Sequence, residues 1–164
     1  MALLLLVQLL LLNHLHLFGY ATPLIIGYMI ICLESGMSRM SQLWWGFTMG
    51  FIYDLFSNTM GMGTASMTLL AMVKPYLLKL FMPRDVVDSF KPTIQSMNLS
   101  NYIWYTLTCM GLLHMSFYFL DAFTLSDLVL TIGAMIGGTL MASLISICTE
   151  YIVRNRPKER DVMQ

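Results

Sequence analysis

Four apolar runs leave this chain little choice of fold: Leu43–Phe56, Met62–Phe81, Tyr102–Leu120 and Leu125–Ile152. A helix that crosses a bilayer needs about 20 apolar residues, because each residue rises about 1.5 Å through a hydrocarbon core about 30 Å thick. The last three runs are long enough, and the first becomes so if it starts a few residues earlier. Composition points the same way. The chain is 57% hydrophobic and 11% charged, where an ordinary soluble domain is about 25% charged, and its mean hydropathy is +0.70. A soluble fold of 164 residues could not hide that much apolar surface. The expected class is therefore all-α, a polytopic membrane helix bundle, with membrane lipids among its partners. Zero net charge gives no reason to expect nucleic acid.

The N-terminal region, Ala2–Leu33, is too long for one straight span and too short for two full ones. FGYATP, residues Phe18–Pro23, favours two. Gly19 accepts turn angles, and Pro23 restricts Thr22. Thr22 and Pro23 also read as an N-cap followed by proline at the first helical position. One short helix then ends near Leu17 and another starts near Pro23, both suited to a thinned or protein-covered site. Six transmembrane spans follow, within a bundle of residues 1–152 and a basic tail of residues 153–164. A single kinked helix over Ala2–Leu33 would give five spans. A cleaved signal is disfavoured, since no Lys or Arg precedes the apolar stretch and no clean A-x-A site follows it.

Charge sets the orientation. Lys and Arg collect in cytoplasmic loops. The loops near His14–Thr22, Ser57–Gly61 and Asp121–Ser126 carry none. Arg39, Arg84, Lys91 and the tail residues Arg154, Arg156, Lys158 and Arg160 all fall on the other side. Lys79 sits at the same end, and Lys74 lies close enough to snorkel there. Both termini are expected to be cytoplasmic.

Within the spans, Gly46, Gly50 and Asp54 recur every four residues on one stripe, and Ala134, Gly138, Ala142 and Ser146 form a longer one. Small residues at this spacing let helices approach closely in lipid. The 43–56, 62–81 and 125–152 spans are expected to pack together. Asp54 lies one turn from the outer end of its helix, and an ionisable group there faces the bundle interior or a cavity. It reads first as a buried acceptor bonded to Ser57, Asn58 or the start of the next helix, and second as a ligand or partner contact. A catalytic acid is the least supported reading. Tyr53-Asp54 has the YD of intramembrane aspartyl proteases, but residues 61–64 read GMGT where the second motif would need GxGD.

His14 and His16, with Asn13, and Tyr20 and Pro23 of the first turn form a polar group at the outer interface. His114 reads as a structural histidine. Cys32, Cys109 and Cys148 make no metal or disulfide pattern, and no catalytic fingerprint is present. No enzyme activity, metal or cofactor is expected. On the inner side, Pro83–Pro92 can form a short amphipathic turn that sets Val86, Val87 and Phe90 on the membrane or a partner, and Arg84 and Asp85 are candidate interaction residues of this cytoplasmic contact. Glu150 and Arg154 make an i, i+4 pair.

The stretches NHLHLFGYATPL (Asn13–Leu24), WGFTMGFIYDLFSNTMGMGTASMTLLA (Trp45–Ala71) and KPYLLKLFMPRD (Lys74–Asp85) resemble the MreD family of rod shape-determining membrane proteins, in its Bacteroidetes form. The resemblance implies about six spans and a fold similar to the S-component of energy-coupling-factor transporters. It implies a non-catalytic part in the cell-elongation machinery of the bacterial inner membrane, working with MreC and, through it, with MreB, RodA and a penicillin-binding transpeptidase. A different class stays open: a solute-binding subunit of a small-molecule transporter, holding its ligand near Asp54.

Overall fold

The computed structural model describes residues 24, 26–59, 61–82, 91–121 and 128–154, with backbone alone for 128–130, 153 and 154. His14, His16, Tyr20, Pro23, Arg84 and Asp85, the FGYATP turn and most of the basic tail lie outside that set. The described residues form helices and turns, with no strand among them. In chain order the helices are α1 (Gly27–Ile31), α2 (Arg39–Ser57), α3 (Met62–Phe81), α4 (Ile94–Met97), α5 (Leu99–Asp121) and α6 (Leu128–Arg154). Two segments, Leu99–Asp121 and Thr131–Ile152, are long and apolar enough to cross a membrane. The helices α2 and α3 are 19 and 20 residues long, but Arg39, Asp54, Lys74 and Lys79 lower their hydropathy.

Local chemistry sets the ends. Ser38 caps α2, its hydroxyl accepting from the Ser41 N–H at 3.3 Å. This places the start of the helix four residues before the run that begins at Leu43, as its short length required. Asn58 at φ 54° ends the helix in the left-handed region, and Gly61 at φ 80° opens α3. Glycine is the residue that takes such an angle without a Cβ penalty, so the hairpin between α2 and α3 turns within a few residues.

The four long helices stand in a row, each packed on its chain neighbour: α2 on α3, α3 on α5, α5 on α6. Ring contacts fix the antiparallel sense. Phe81 at the end of α3 meets Tyr105 near the start of α5, and Tyr53 near the end of α2 meets Phe117 near the end of α5. Buried positions recur at helical spacing, as in Met67, Leu70, Ala71, Lys74 and Leu78 of α3 and Tyr102, Tyr105, Cys109, Leu113 and Phe117 of α5. The expected close triple of spans is therefore corrected. The α2–α3 contact exists, but α6 packs on α5. The stripe Ala134, Gly138, Ala142 and Ser146 is buried, yet its neighbours Gly133 and Gly137 face open space. The α5–α6 contact at Gly111 and Thr139 is ordinary, with 3.8 Å from a Cβ position to Thr139 Cγ2.

The second N-terminal span, expected to be short and to start near Pro23, is described only from Leu24 on. Its described part is the five-residue α1, all of it buried. At about 1.5 Å per residue this helix is far shorter than a crossing, and it is covered by protein against α3, α5 and α2. Burial demands partners for polar groups. The Leu24 N–H donates to His114 Nε2 (3.4 Å), while His114 Nδ1 lies 2.9 Å from the Met110 carbonyl. The Tyr28 hydroxyl donates to Glu150 at 2.5 Å, tying α1 to α6.

Lys74 departs from expectation as well. It does not snorkel to the inner surface. Its side chain is 1% exposed, and Nζ donates to the Leu33 carbonyl at 2.6 Å, holding the turn after α1 against α3. Lys74→Glu is expected to be severe, because two acceptors would face each other in a buried site; a buried group left unmade costs about 1–3 kcal/mol, and more when it is charged. Lys74→Gln keeps a donor and should be milder. The monodisperse fraction after detergent extraction ranks the two.

Candidate functional site

The polar centre of the described residues is Asp54, 8% exposed, at the hairpin between α2 and α3. A helix start leaves backbone N–H groups without intrahelical partners. An N-cap side chain usually takes those of the second and third helical residues. In α3 the cap is Gly61, which has no side chain to offer. Asp54 fills the role from the preceding helix. Its Oδ1 accepts from the Gly63 N–H (2.8 Å) and the Thr59 hydroxyl (2.8 Å). Its Oδ2 accepts from the Thr64 N–H (2.8 Å) and the Thr64 hydroxyl (2.6 Å). Four donors match the acceptor capacity of the carboxylate.

The glycine stripe makes this reach possible. A Cβ on Gly50 would lie 2.5 Å from Thr64 Cα and 2.8 Å from the Gly63 carbonyl oxygen. One on Gly46 would lie 2.7 Å from the Ala71 Cβ. From the other side, a Cβ on Gly63 would come within 2.6 Å of Asp54 Oδ1. Glycines on both helices thus bring the backbone of α3 against α2 where the carboxylate waits.

Of the residues singled out from sequence, the structure brings together Gly46, Gly50 and Asp54. Asn58 is close by but is not bonded to Asp54. It lies at the mouth of a hollow that runs down the outer face of α2 and α3. The Asp54 partners are Thr59, Gly63 and Thr64 rather than Ser57 or Asn58, so the alternative that named the start of the next helix is the one realised. Thr59 and Thr64 were missed as individual residues. Their signal is legible in retrospect: hydroxyl side chains flanking a helix whose cap position is glycine. Ala134, Gly138 and Ala142 are buried on α6 and are remote in topology from this hairpin.

The hollow beside Asp54 holds about 820 Å³. Phe47, Phe51 and Leu55 of α2 form one wall, and Thr68, Leu69 and Met72 of α3 the other. Asp54, Thr59 and Thr64 sit at its head. It opens along its side onto an apolar surface. Lys91 pairs with Glu34 at 2.5 Å, both side chains well exposed, so one basic residue of the Pro83–Pro92 segment is engaged within the chain. Compared with family models, with curated proteins and with solved structures, the chain matches none.

Proposed function

We propose that this chain is a non-catalytic, multi-pass membrane scaffold of the MreD type, organising lateral cell-wall synthesis together with MreC. The observation that carries the membrane part is inverted polarity. Large apolar side chains face outward on all four long helices, among them Trp44 (67% exposed), Leu80 (74%), Phe119 and Leu144. Polar ones, including Gln42, Lys74, His114, Ser146 and Glu150, lie inside. Soluble monomers rarely expose apolar patches of that extent, whereas in a bilayer polar groups turn inward and apolar ones meet lipid.

Aromatic placement supports the orientation. Trp44, Trp45, Tyr76, Trp104 and Tyr151 are exposed, and each lies within two turns of the helix end that carries Arg39, Lys79 or Arg154, or of the matching end of α5. Arg39 stacks over Tyr76, 5.5 Å from its ring centre. Trp and Tyr gather at the interface, and basic residues on its cytoplasmic side. In this reading the chain weaves through the inner membrane six times, has an S-component-like fold and keeps both termini in the cytoplasm. The Pro83–Pro92 loop and the outer hairpins are its contact surfaces for the MreC, RodA, transpeptidase and MreB assembly. The partner assignment draws on the likeness of Asn13–Leu24, Trp45–Ala71 and Lys74–Asp85 to that family.

Tagged full-length protein extracted from bacterial membranes should carry MreC with it, and charge reversal at Arg84 should reduce that recovery several-fold; unchanged recovery would remove the inner loop from the interface. Single cysteines at Gly19 and Asn58 should react with an impermeant reagent from outside, and one at Ser35 only after permeabilisation. Labelling of Gly19→Cys from the cytosol alone would overturn the six-span weave. A solute-binding subunit is the second reading, favoured by the hollow next to Asp54. A water-soluble ligand retained through purification and identified by mass would support it.

A further inference from the structure

We propose that the apolar segment ahead of Leu24, Ala2–Leu17, packs antiparallel along Ala134, Gly138 and Ala142 of α6 and completes the bundle at that edge. The proposal rests on the membrane reading above. Three observations carry it.

The first is the width of the covered arc on α6. Thr139 marks the side that meets α5, its Cγ2 lying 3.8 Å from a Cβ position on Gly111. At 3.6 residues per turn, Gly138 lies about 100° round the helix from Thr139, and Ala134 about 140°. Both are nonetheless buried, and Ala142, between the two directions, is fully so. On the far side Gly133 and Gly137 face open space, and Ile136 and Leu140 are exposed. Among the described residues α6 packs chiefly on α5. An arc this wide asks for a second cover, on the Ala134–Gly138 side alone.

The second is reach. Gly138 is well inside α6, about 15 Å from its outer end at 1.5 Å per residue. Residues 122–127 are pinned at both ends by α5 and α6. They cannot descend that far and return, since an extended chain spans at most about 3.6 Å per residue. Residues 83–90 and 155–164 leave from inner helix ends, about 24 Å below Gly138, and the second stretch carries Arg156, Lys158, Glu159, Arg160 and Asp161, which hydrocarbon excludes. The segment before Leu24 starts inside the bundle. Leu24 is buried, and its N–H is bonded to His114 of α5, the neighbour of α6. As a helix, Ala2–Leu17 would measure ~24 Å, enough to run from the level of Leu128 past Ala142.

The third is a mark in the segment's own sequence. Gln8 is the one polar residue from Ala2 to Leu12. A polar side chain at depth in lipid turns to a neighbouring helix for its partner. With Leu17 and Leu128 both at the outer end, antiparallel pairing sets Leu12 beside Ala134, Gln8 beside Gly138 and Leu4 beside Ala142. The same four-residue step on both segments puts these pairs on one seam. At Gly138 the lack of a side chain leaves the Gln8 amide room to reach a backbone carbonyl.

The test uses the full-length chain in native membranes, with Cys32, Cys109 and Cys148 replaced by alanine. The pairs Leu12→Cys with Ala134→Cys, and Leu4→Cys with Ala142→Cys, should be linked by copper phenanthroline in most chains, read as disulfide-joined peptides by mass spectrometry. Leu12→Cys with Gly133→Cys, at the same depth on the open side, should link at least five-fold less. Equal linking at positions 133 and 134, or no link in either designed pair of an inserted chain, would overturn the proposal. Two differently tagged chains, one with Leu12→Cys and one with Ala134→Cys, should not link when co-expressed. Linking between them at the yield of the double variant would put a second copy on the stripe instead. A chain that does not insert into bilayers at all would defeat the membrane reading itself, whereas an inserted chain whose segment links elsewhere would defeat only this packing.

Discussion

Asp54→Ala is expected to destabilise the bundle by about 2–4 kcal/mol. The substitution strips the Gly63 and Thr64 N–H groups of their acceptor, and a buried donor left unmade costs about 1–3 kcal/mol. The Thr59 and Thr64 hydroxyls can turn elsewhere, and the outer end of the hairpin lies near water, which keeps the figure from rising further. Asp54→Asn should recover little. Its carbonyl can serve one pair of donors, but its NH₂ then points donor to donor at the other pair. Asp54→Glu carries the charge one methylene further, into space that Gly63 vacates only for the shorter side chain. Thermal unfolding in detergent measures all three, and the expected order of stability is wild type, then Asn and Glu, then Ala. If Asp54→Ala unfolded like wild type, the cap supplied from α2 would have no energetic weight.

Gly50→Val is the second large effect. The new Cβ would meet the backbone of Thr64 and Gly63 rather than a side-chain tip, so no rotamer change relieves it. Forcing the helices apart also lifts Asp54 off the start of α3. Overpacking alone costs about 1–3 kcal/mol, and the loss of the cap adds to it. Gly46→Ala, whose Cβ would meet the Ala71 Cβ and the Met67 carbonyl oxygen, should be intermediate. Gly137→Ala, where nothing lies within 4 Å, should be neutral or slightly stabilising, since Ala is favoured over Gly by about 1 kcal/mol in a helix. A flat response across these variants would remove close packing as the purpose of the glycine stripe.

Particular residues mark how far the sequence could be read. The Gly46–Gly50–Asp54 stripe was legible because a helix repeats its faces every 3.6 residues, so spacing alone puts the three on one line. The helical start bonded to Asp54 was legible too, from a carboxylate one turn from a short glycine-containing turn. Lys74 was misread. Spacing from the inner end allows a lysine to snorkel, and nothing in its neighbourhood announces that it will donate to the carbonyl of Leu33, forty-one residues earlier. The Tyr28–Glu150 bond, across 122 positions, is invisible for the same reason. The α6 span was expected to pack with α2 and α3 but among the described residues packs chiefly on α5, because small residues say that a helix is approached closely and not by which one.

The sequence by itself determined the class of structure: long apolar helices, polar breaks between them, and a glycine face on α2. These follow from local periodicity and from the cost of placing charge and unpaired backbone in hydrocarbon. Only the tertiary structure decided that the long helices stand in chain order, that α1 is buried whole, and that Asp54 caps a helix other than its own. Those outcomes depend on which surfaces meet, and complementarity between distant segments is a property of their assembled shapes that no single segment encodes.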